Sequence, residues 1–150
     1  MPDEFDLDAF LPYRLNRAAE LVSLRFARRY RDRYGMTRPE WRTLALLGNN
    51  GRLTATAIGA LSTMHKTKIS RAVRALEERH WLRRQADVDD RRVEHLELTP
   101  AGQRAYEDIA RLARDYEAEL RGLFGQNALA SLDKGLERVI ATLSRAHEKG

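Results

Sequence analysis

Leu11, Leu15, Ala18, Val22 and Phe26 recur at three- and four-residue steps between charged residues, the spacing of one apolar face on an amphipathic helix. Gly35 follows as a helix terminator. Thr37 then stands where a second helix needs a cap, with Pro39 in its first turn and Glu40 at the acid position of a capping box. Trp41, Leu44 and Leu47 share its inner face. The turn Gly48-Asn49-Asn50-Gly51 is expected to stop it. Thr54 to Ser62 reads as a short third helix centred on Ile58 and Leu61, and Thr63 to Trp81 as a longer fourth across a tight turn.

After Trp81 the helical period gives way to Leu82-Arg83-Arg84-Gln85, a charged stretch from Ala86 to Arg92, and Val93-Glu94-His95-Leu96-Glu97-Leu98. The second run alternates imperfectly. Asp87, Asp89 and Asp90 nevertheless cluster as in a loop, and Thr99-Pro100 opens a new helix, so a short β-hairpin, a wing, is favoured. From Pro100, one long helix runs through Ile109, Leu112, Tyr116, Leu120 and Leu123. Gly125 interrupts it before a last helix with Leu129, Leu132, Leu136, Ile140 and Leu143. The expected fold class is mainly α with a small β-hairpin wing.

The fourth helix carries the most specific local signal. Ile69, Ala72, Val73 and Leu76 fall on one side of the helical wheel and should face the core. Thr67, Ser70, Arg71 and Arg74 point away, with Lys68 beside them and Lys66 in the first turn. A DNA major groove accepts such a small, polar, basic face: hydroxyls and guanidinium groups bond base edges while lysines hold phosphates. Arg71 and Arg74 are the candidate base readers. A solvated helix face has the same composition, so this helix alone does not decide.

Composition narrows the field further. The chain has 150 residues, 43% hydrophobic and 33% charged, enough apolar material for one folded domain. A net charge of +5 is compatible with a polyanionic partner, though many basic proteins bind none. The absence of cysteine removes disulfides, thiolate metal sites and cysteine-based redox sensing. Met1 to Asp8 carries acids and no secretory pattern, and no stretch approaches a membrane span, so a cytoplasmic location is expected. His65, His80, His95 and His147 lack paired zinc-ligand spacing, and there is no glycine-rich phosphate loop or nucleophile elbow. Asp87, Asp89 and Asp90 lack the glycine and terminal glutamate of a calcium loop. No catalytic site, metal or cofactor is expected.

The run Leu53-Thr54-Ala55-Thr56-Ala57-Ile58-Gly59-Ala60-Leu61-Ser62-Thr63-Met64-His65-Lys66-Thr67-Lys68-Ile69-Ser70-Arg71-Ala72-Val73-Arg74-Ala75-Leu76, continuing to Leu82, precedes Asp87-Val88-Asp89-Asp90-Arg91-Arg92 and Leu96-Glu97-Leu98-Thr99-Pro100-Ala101-Gly102. In that order these segments resemble the MarR family over nearly the whole chain. The family's wing usually reads D-x-R-D-x-R before L-x-L-T-x-x-G. Asp87, Asp90, Arg92, Leu96, Leu98, Thr99 and Gly102 match it, and Asp89 stands where arginine is common.

The resemblance implies a winged helix-turn-helix over about residues 36–99, flanked by dimerisation helices over about 8–34 and 100–148, in a single domain spanning 1–150. Arg92 would enter the minor groove, with Asp90 aligning its guanidinium or tying the wing to the body. Asp89 implies one fewer phosphate contact; Arg91 either compensates or is solvated. Arg83 and Arg84 either contact phosphates or brace the hairpin. A homodimer implies a roughly palindromic double-stranded operator. The implied function is a transcriptional repressor released by a small aromatic or phenolic ligand, for which Tyr13, Arg17 and Trp41 are pocket candidates; aromatic residues at helical spacing more often serve the core. The alternative is a winged-helix module that binds protein, which would prefer an apolar patch to the Thr67, Ser70, Arg71 and Arg74 face.

Overall fold

The structure, a computed structural model, describes residues 4–148, with side chains through residue 146. The expected domain limits at residues 1 and 150, and the side chain of His147, lie outside the described residues. A 3-10 turn, Leu7–Ala9, leads into α1 (Leu11–Tyr34), α2 (Arg38–Asn50), β1 (Leu53–Thr54), α3 (Ala55–Ser62) and α4 (Lys66–Glu78). β2 (Leu82–Ala86), β3 (Glu94–Leu98), α5 (Pro100–Phe124) and α6 (Gln126–Glu148) follow. The chain forms two compact units, Met1–Arg111 and Leu112–Gly150, so that the division falls within α5.

In the first unit, local chemistry sets the helix ends. Gly35 closes α1 at φ +66°, its N–H donating to the Arg31 carbonyl at 2.7 Å. Thr37 and Glu40 form the reciprocal capping box: Thr37 N–H donates to Glu40 Oε2 at 2.8 Å, and Glu40 N–H to Thr37 Oγ1 at 3.3 Å. Helix α2 runs through Gly48, Asn49 and Asn50, where the sequence pointed to a turn, and stops only at Gly51 with φ +78°. Gly48 lies against the ring of Tyr106 from α5, which occupies the space a Cβ would need.

The helix-turn-helix is tighter than its apolar pattern implied. Thr54 lies outside α3 as its cap, accepting from Ala57 N–H at 3.1 Å. Thr63 takes φ +59° at the α3 C-terminus, so α4 begins at Lys66 and not at Thr63. It also ends early, at Glu78, because His80 turns the chain with φ +62°. Ile58 is fully buried, whereas Leu61, expected beside it, is 55% exposed.

The sheet has three strands in the order β1-β3-β2, one more than the expected hairpin. Leu53 pairs with Leu96, and the β2–β3 register runs from Leu82↔Leu98 to Ala86↔Glu94. Leu82 and Leu96 are buried with Leu44, Leu47, Ile69, Ala72, Val73 and Leu76, which fixes both α4 and the sheet on one core. Tyr30, Met36 and Ile109 extend it.

Helix α1 buries only its C-terminal part, Phe26, Ala27 and Tyr30; Leu11 and Ala18 are exposed, and Leu15 and Val22 half-buried. In the second unit Tyr116, Leu120 and Leu129 are buried, while Leu123, Leu132, Leu136, Ile140 and Leu143 are exposed.

Candidate nucleic-acid interface

Helix α4 is anchored by Ile69, Ala72, Val73 and Leu76, all buried, so the opposite face has to point outward. Lys66, Thr67, Lys68, Ser70, Arg71 and Arg74 are all exposed there. His65 precedes them as the cap, its Nδ1 accepting from Thr67 N–H at 3.3 Å. Arg74 leans towards Glu78, with Nε 3.6 Å from Oε1. Arg71 has no ion-pair partner among the described residues, and with Lys68 it lines a groove of about 430 Å³ that continues to Thr37 and Pro39 at the head of α2.

A second groove, of about 510 Å³, separates α4 from the wing. Ser70 and Val73 form one wall, Arg91, Arg92 and Glu94 the other, and Ala55 and Thr56 at the head of α3 close one end. The fold thus brings Ser70, Arg91 and Arg92 to one concave, basic surface.

The wing tip is held by its own acids. Asp87 Oδ2 accepts from the N–H groups of Asp89 at 3.1 Å and Asp90 at 3.0 Å, and its Oδ1 lies 2.8 Å from His95 Nε2. The His95 bond and then the two amides hold the Asp87 carboxyl below its ordinary pKa. Asp90 in turn accepts from Arg92, at 3.0 Å from the N–H and 3.2 Å from Nε, which likewise lowers its pKa. Of the two placements for Asp90, the geometry has the carboxylate aligning Arg92. The Arg92 side chain remains 91% exposed. Two of the three loop acids are therefore engaged within the wing, Asp87 on His95 and the turn amides and Asp90 on Arg92 itself.

Arg83 and Arg84 brace the hairpin. Arg83 Nε donates to Glu97 Oε1 at 2.8 Å, across the register pair. Arg84 bonds Glu94 at 3.0 Å and Glu77 of α4 at 3.1 Å, and the Glu94 bond leads the causes that raise its pKa. Arg52, to which the sequence pattern gives no role, joins the same array at Gln85 and Glu97. His95 is silent in the sequence as well. Its contact crosses from strand to loop, which no local spacing signals.

The ligand candidates do not converge. Trp41 stacks on Tyr30 at 5.8 Å between centroids and meets Phe26 edge-on at 5.6 Å, as a core aromatic does. It also borders a groove of about 360 Å³ with Arg42, Ala45, Leu46 and Leu61. Tyr13, half-buried, and Arg17, exposed, sit one turn apart on α1 and line none of the described grooves.

A helix-turn-helix with a basic outer helix face and a β-wing bearing an outward arginine defines a winged helix-turn-helix DNA-binding protein. The MarR family model matches residues 36–93, from the end of α1 to the wing. The chain is similar to the Bacillus subtilis (strain 168) "Uncharacterized HTH-type transcriptional regulator YwoH", 26% identical over 110 residues, 73% of this chain and 79% of the relative. The MarR family transcriptional regulator SPO1453 from Silicibacter pomeroyi DSS-3 superposes with a TM-score of 0.78 at 28% identity, over 93% of this chain and 98% of that one. Bordetella bronchiseptica BpsR, whose DNA binding is regulated by 6-hydroxynicotinic acid, has the same fold: TM-score 0.77, 18% identity, 91% of this chain and 96% of that one. Residues 36–93 thus form a MarR-type winged helix-turn-helix, and over most of its length the chain is similar to transcriptional regulators. Among the described residues no helix is long and apolar enough to cross a membrane.

Proposed function

We propose that the chain is a cytoplasmic, homodimeric repressor that binds a roughly palindromic double-stranded operator and releases it on binding a small aromatic or phenolic ligand. The observation that carries the reading is the basic surface formed by α4 and the wing. Arg71, Arg74, Thr67 and Ser70 face the major groove, Lys66, Lys68 and Arg91 hold phosphates, and Arg92, aligned by Asp90, reaches the flanking minor groove. The exposed side chains of α4 on that surface are polar or charged, which favours DNA over a protein partner.

The dimer is supported by the exposed Leu7, Phe10 and Leu11 near the N-terminus and by Leu132, Leu136, Ile140 and Leu143 on α6, more apolar surface than a monomer keeps in water. The ligand class is supported by the relative regulated by a hydroxylated aromatic acid and by the aromatic and cationic pair Trp41 and Arg42 bordering one groove. A ligand acts by its differential affinity for the dimer geometry that does not fit DNA. Repression follows from a promoter-bound dimer occluding polymerase.

The test is a gel-shift titration on the chain's own upstream intergenic DNA against a scrambled duplex at fixed salt, with and without a panel of aromatic acids. Specific binding abolished by one acid is the expected result. Equal binding to both duplexes counts against sequence-specific regulation at that site.

A further inference from the structure

We propose that His95 is a positioning residue for the wing arginine: it fixes Asp87, Asp87 fixes the turn that carries Asp90, and Asp90 fixes the guanidinium of Arg92. The proposal rests on the reading of Arg92 as a minor-groove contact.

An ionised carboxylate only accepts hydrogen bonds, so in the 2.8 Å contact with Asp87 Oδ1 it is His95 Nε2 that carries the proton. The partner oxygen, Asp87 Oδ2, takes the amides of Asp89 and Asp90. With both oxygens engaged, the carboxylate cannot rotate without breaking a bond. Two backbone bonds then close the loop, Asp87 N–H to the Val93 carbonyl at 2.9 Å and Val93 N–H to the Asp90 carbonyl at 3.0 Å. From there Asp90 reaches Arg92 through its N–H, its Nε and, at 3.4 Å, a terminal nitrogen.

This chain of contacts begins in the sheet and ends in solvent. His95 belongs to the central strand, opposite Thr54 of β1 and Gln85 of β2. Arg92 projects from the loop, 91% exposed, and among the described residues Asp90 is its ion-pair partner. An arginine that is already oriented loses less side-chain entropy on entering a groove. His95 is the side chain that links the sheet to that orientation.

The experiment uses the full chain and the variants His95→Ala, His95→Gln, Arg92→Ala and His95→Ala with Arg92→Ala. Glutamine can present a donor near the position of the imidazole Nε2–H. Amide hydrogen exchange at Asp89 and Asp90 is measured in the free protein. Affinity is measured for the upstream duplex and for a copy whose flanks are changed from A·T to G·C. The proposal expects exchange at the two amides to rise roughly tenfold in His95→Ala and to return towards the original rate in His95→Gln. It also expects the A·T preference to fall in His95→Ala, with no further reduction when Arg92→Ala is already present. Unchanged exchange in His95→Ala overturns it, as does a full additional drop in preference in the double variant. If Arg92→Ala alone leaves the flank preference intact, the minor-groove reading of Arg92 fails, and the exchange rates alone then decide the role of His95.

Discussion

Thr99 donates its hydroxyl proton to the carbonyl oxygen of His80 at 2.6 Å. His80 is the residue that reverses the chain after α4, at positive φ, so this bond satisfies a carbonyl that the broken helix leaves free. The same hydroxyl accepts from Gly102 N–H at 3.1 Å and so also caps α5. The winged part and the start of α5 are thereby joined through one side chain.

Gly102→Ala is predicted to destabilise the fold. An added Cβ would lie 3.0 Å from Trp81 Cα and far closer to the Trp81 carbonyl oxygen, which is backbone and cannot swing aside. Overpacking of this kind costs about 1–3 kcal/mol. Thermal unfolding should show a Tm several degrees lower; an unchanged Tm would mean that α5 shifts freely against Trp81.

Arg71→Ala and Lys68→Ala should separate two modes of DNA binding. Removing a bidentate bond from Arg71 to a base costs about 1–3 kcal/mol on the specific duplex and little on scrambled DNA. Removing Lys68 should weaken all sequences alike and lower the salt dependence by about one counterion. Titrations at several salt concentrations check both, and equal weakening on every duplex for Arg71→Ala would contradict its base-reading role.

Arg79→Ala is expected to cost about 2–3 kcal/mol, below the ~3–5 kcal/mol of a fully buried pair because Arg79 is partly solvated. Its guanidinium lies 3.6 Å from the nearly buried Glu40, donates to the Tyr34 carbonyl at 2.8 Å, and sits 4.9 Å from the centre of the Trp81 ring. Removing it leaves the Glu40 carboxylate without its counter-charge. Urea unfolding measures the destabilisation, and combining the change with Glu40→Gln should recover part of it.

Much of this architecture is legible in the sequence because it is written in local spacing. Thr37 and Glu40 stand three apart, as a capping box requires, and Ile69, Ala72, Val73 and Leu76 mark one helix face. The MarR-type order of segments is enough to pair Asp90 with Arg92 in the wing. What escapes depends on non-local pairing or unusual backbone. Leu53 and Thr54 are too few to show a strand period, and they form β1 only because Leu96 and His95 lie opposite. Thr63 and His80 adopt positive φ without being glycine, so the apolar pattern places both ends of α4 too far out. Leu61 has the right period for a core residue yet lies open, since periodicity names a face and not what covers it.

Tyr34→Phe should change the pH dependence of stability as well as its size. Tyr34 donates to Asp108 Oδ2 at 2.5 Å, and Arg33 Nε lies 2.7 Å from the same oxygen. The Tyr34 bond, followed by the Arg33 charge, holds the Asp108 carboxyl below its ordinary pKa. A depressed native pKa contributes stability that is present above the ordinary carboxylate pKa and is lost as pH falls through the native value. Tyr34→Phe is therefore expected to be less stable than the original chain at neutral pH, with the gap narrowing on acidification below about pH 4. Tyr34 itself has a raised pKa, through burial first and then the Asp108 bond. Its contribution is present below the ordinary tyrosine pKa and is lost as pH rises through the native one, so the gap should narrow again above about pH 10. Denaturant titrations across that range check both limbs, and a gap that stays constant from acid to alkali would show that the Tyr34–Asp108 bond does not set the Asp108 pKa.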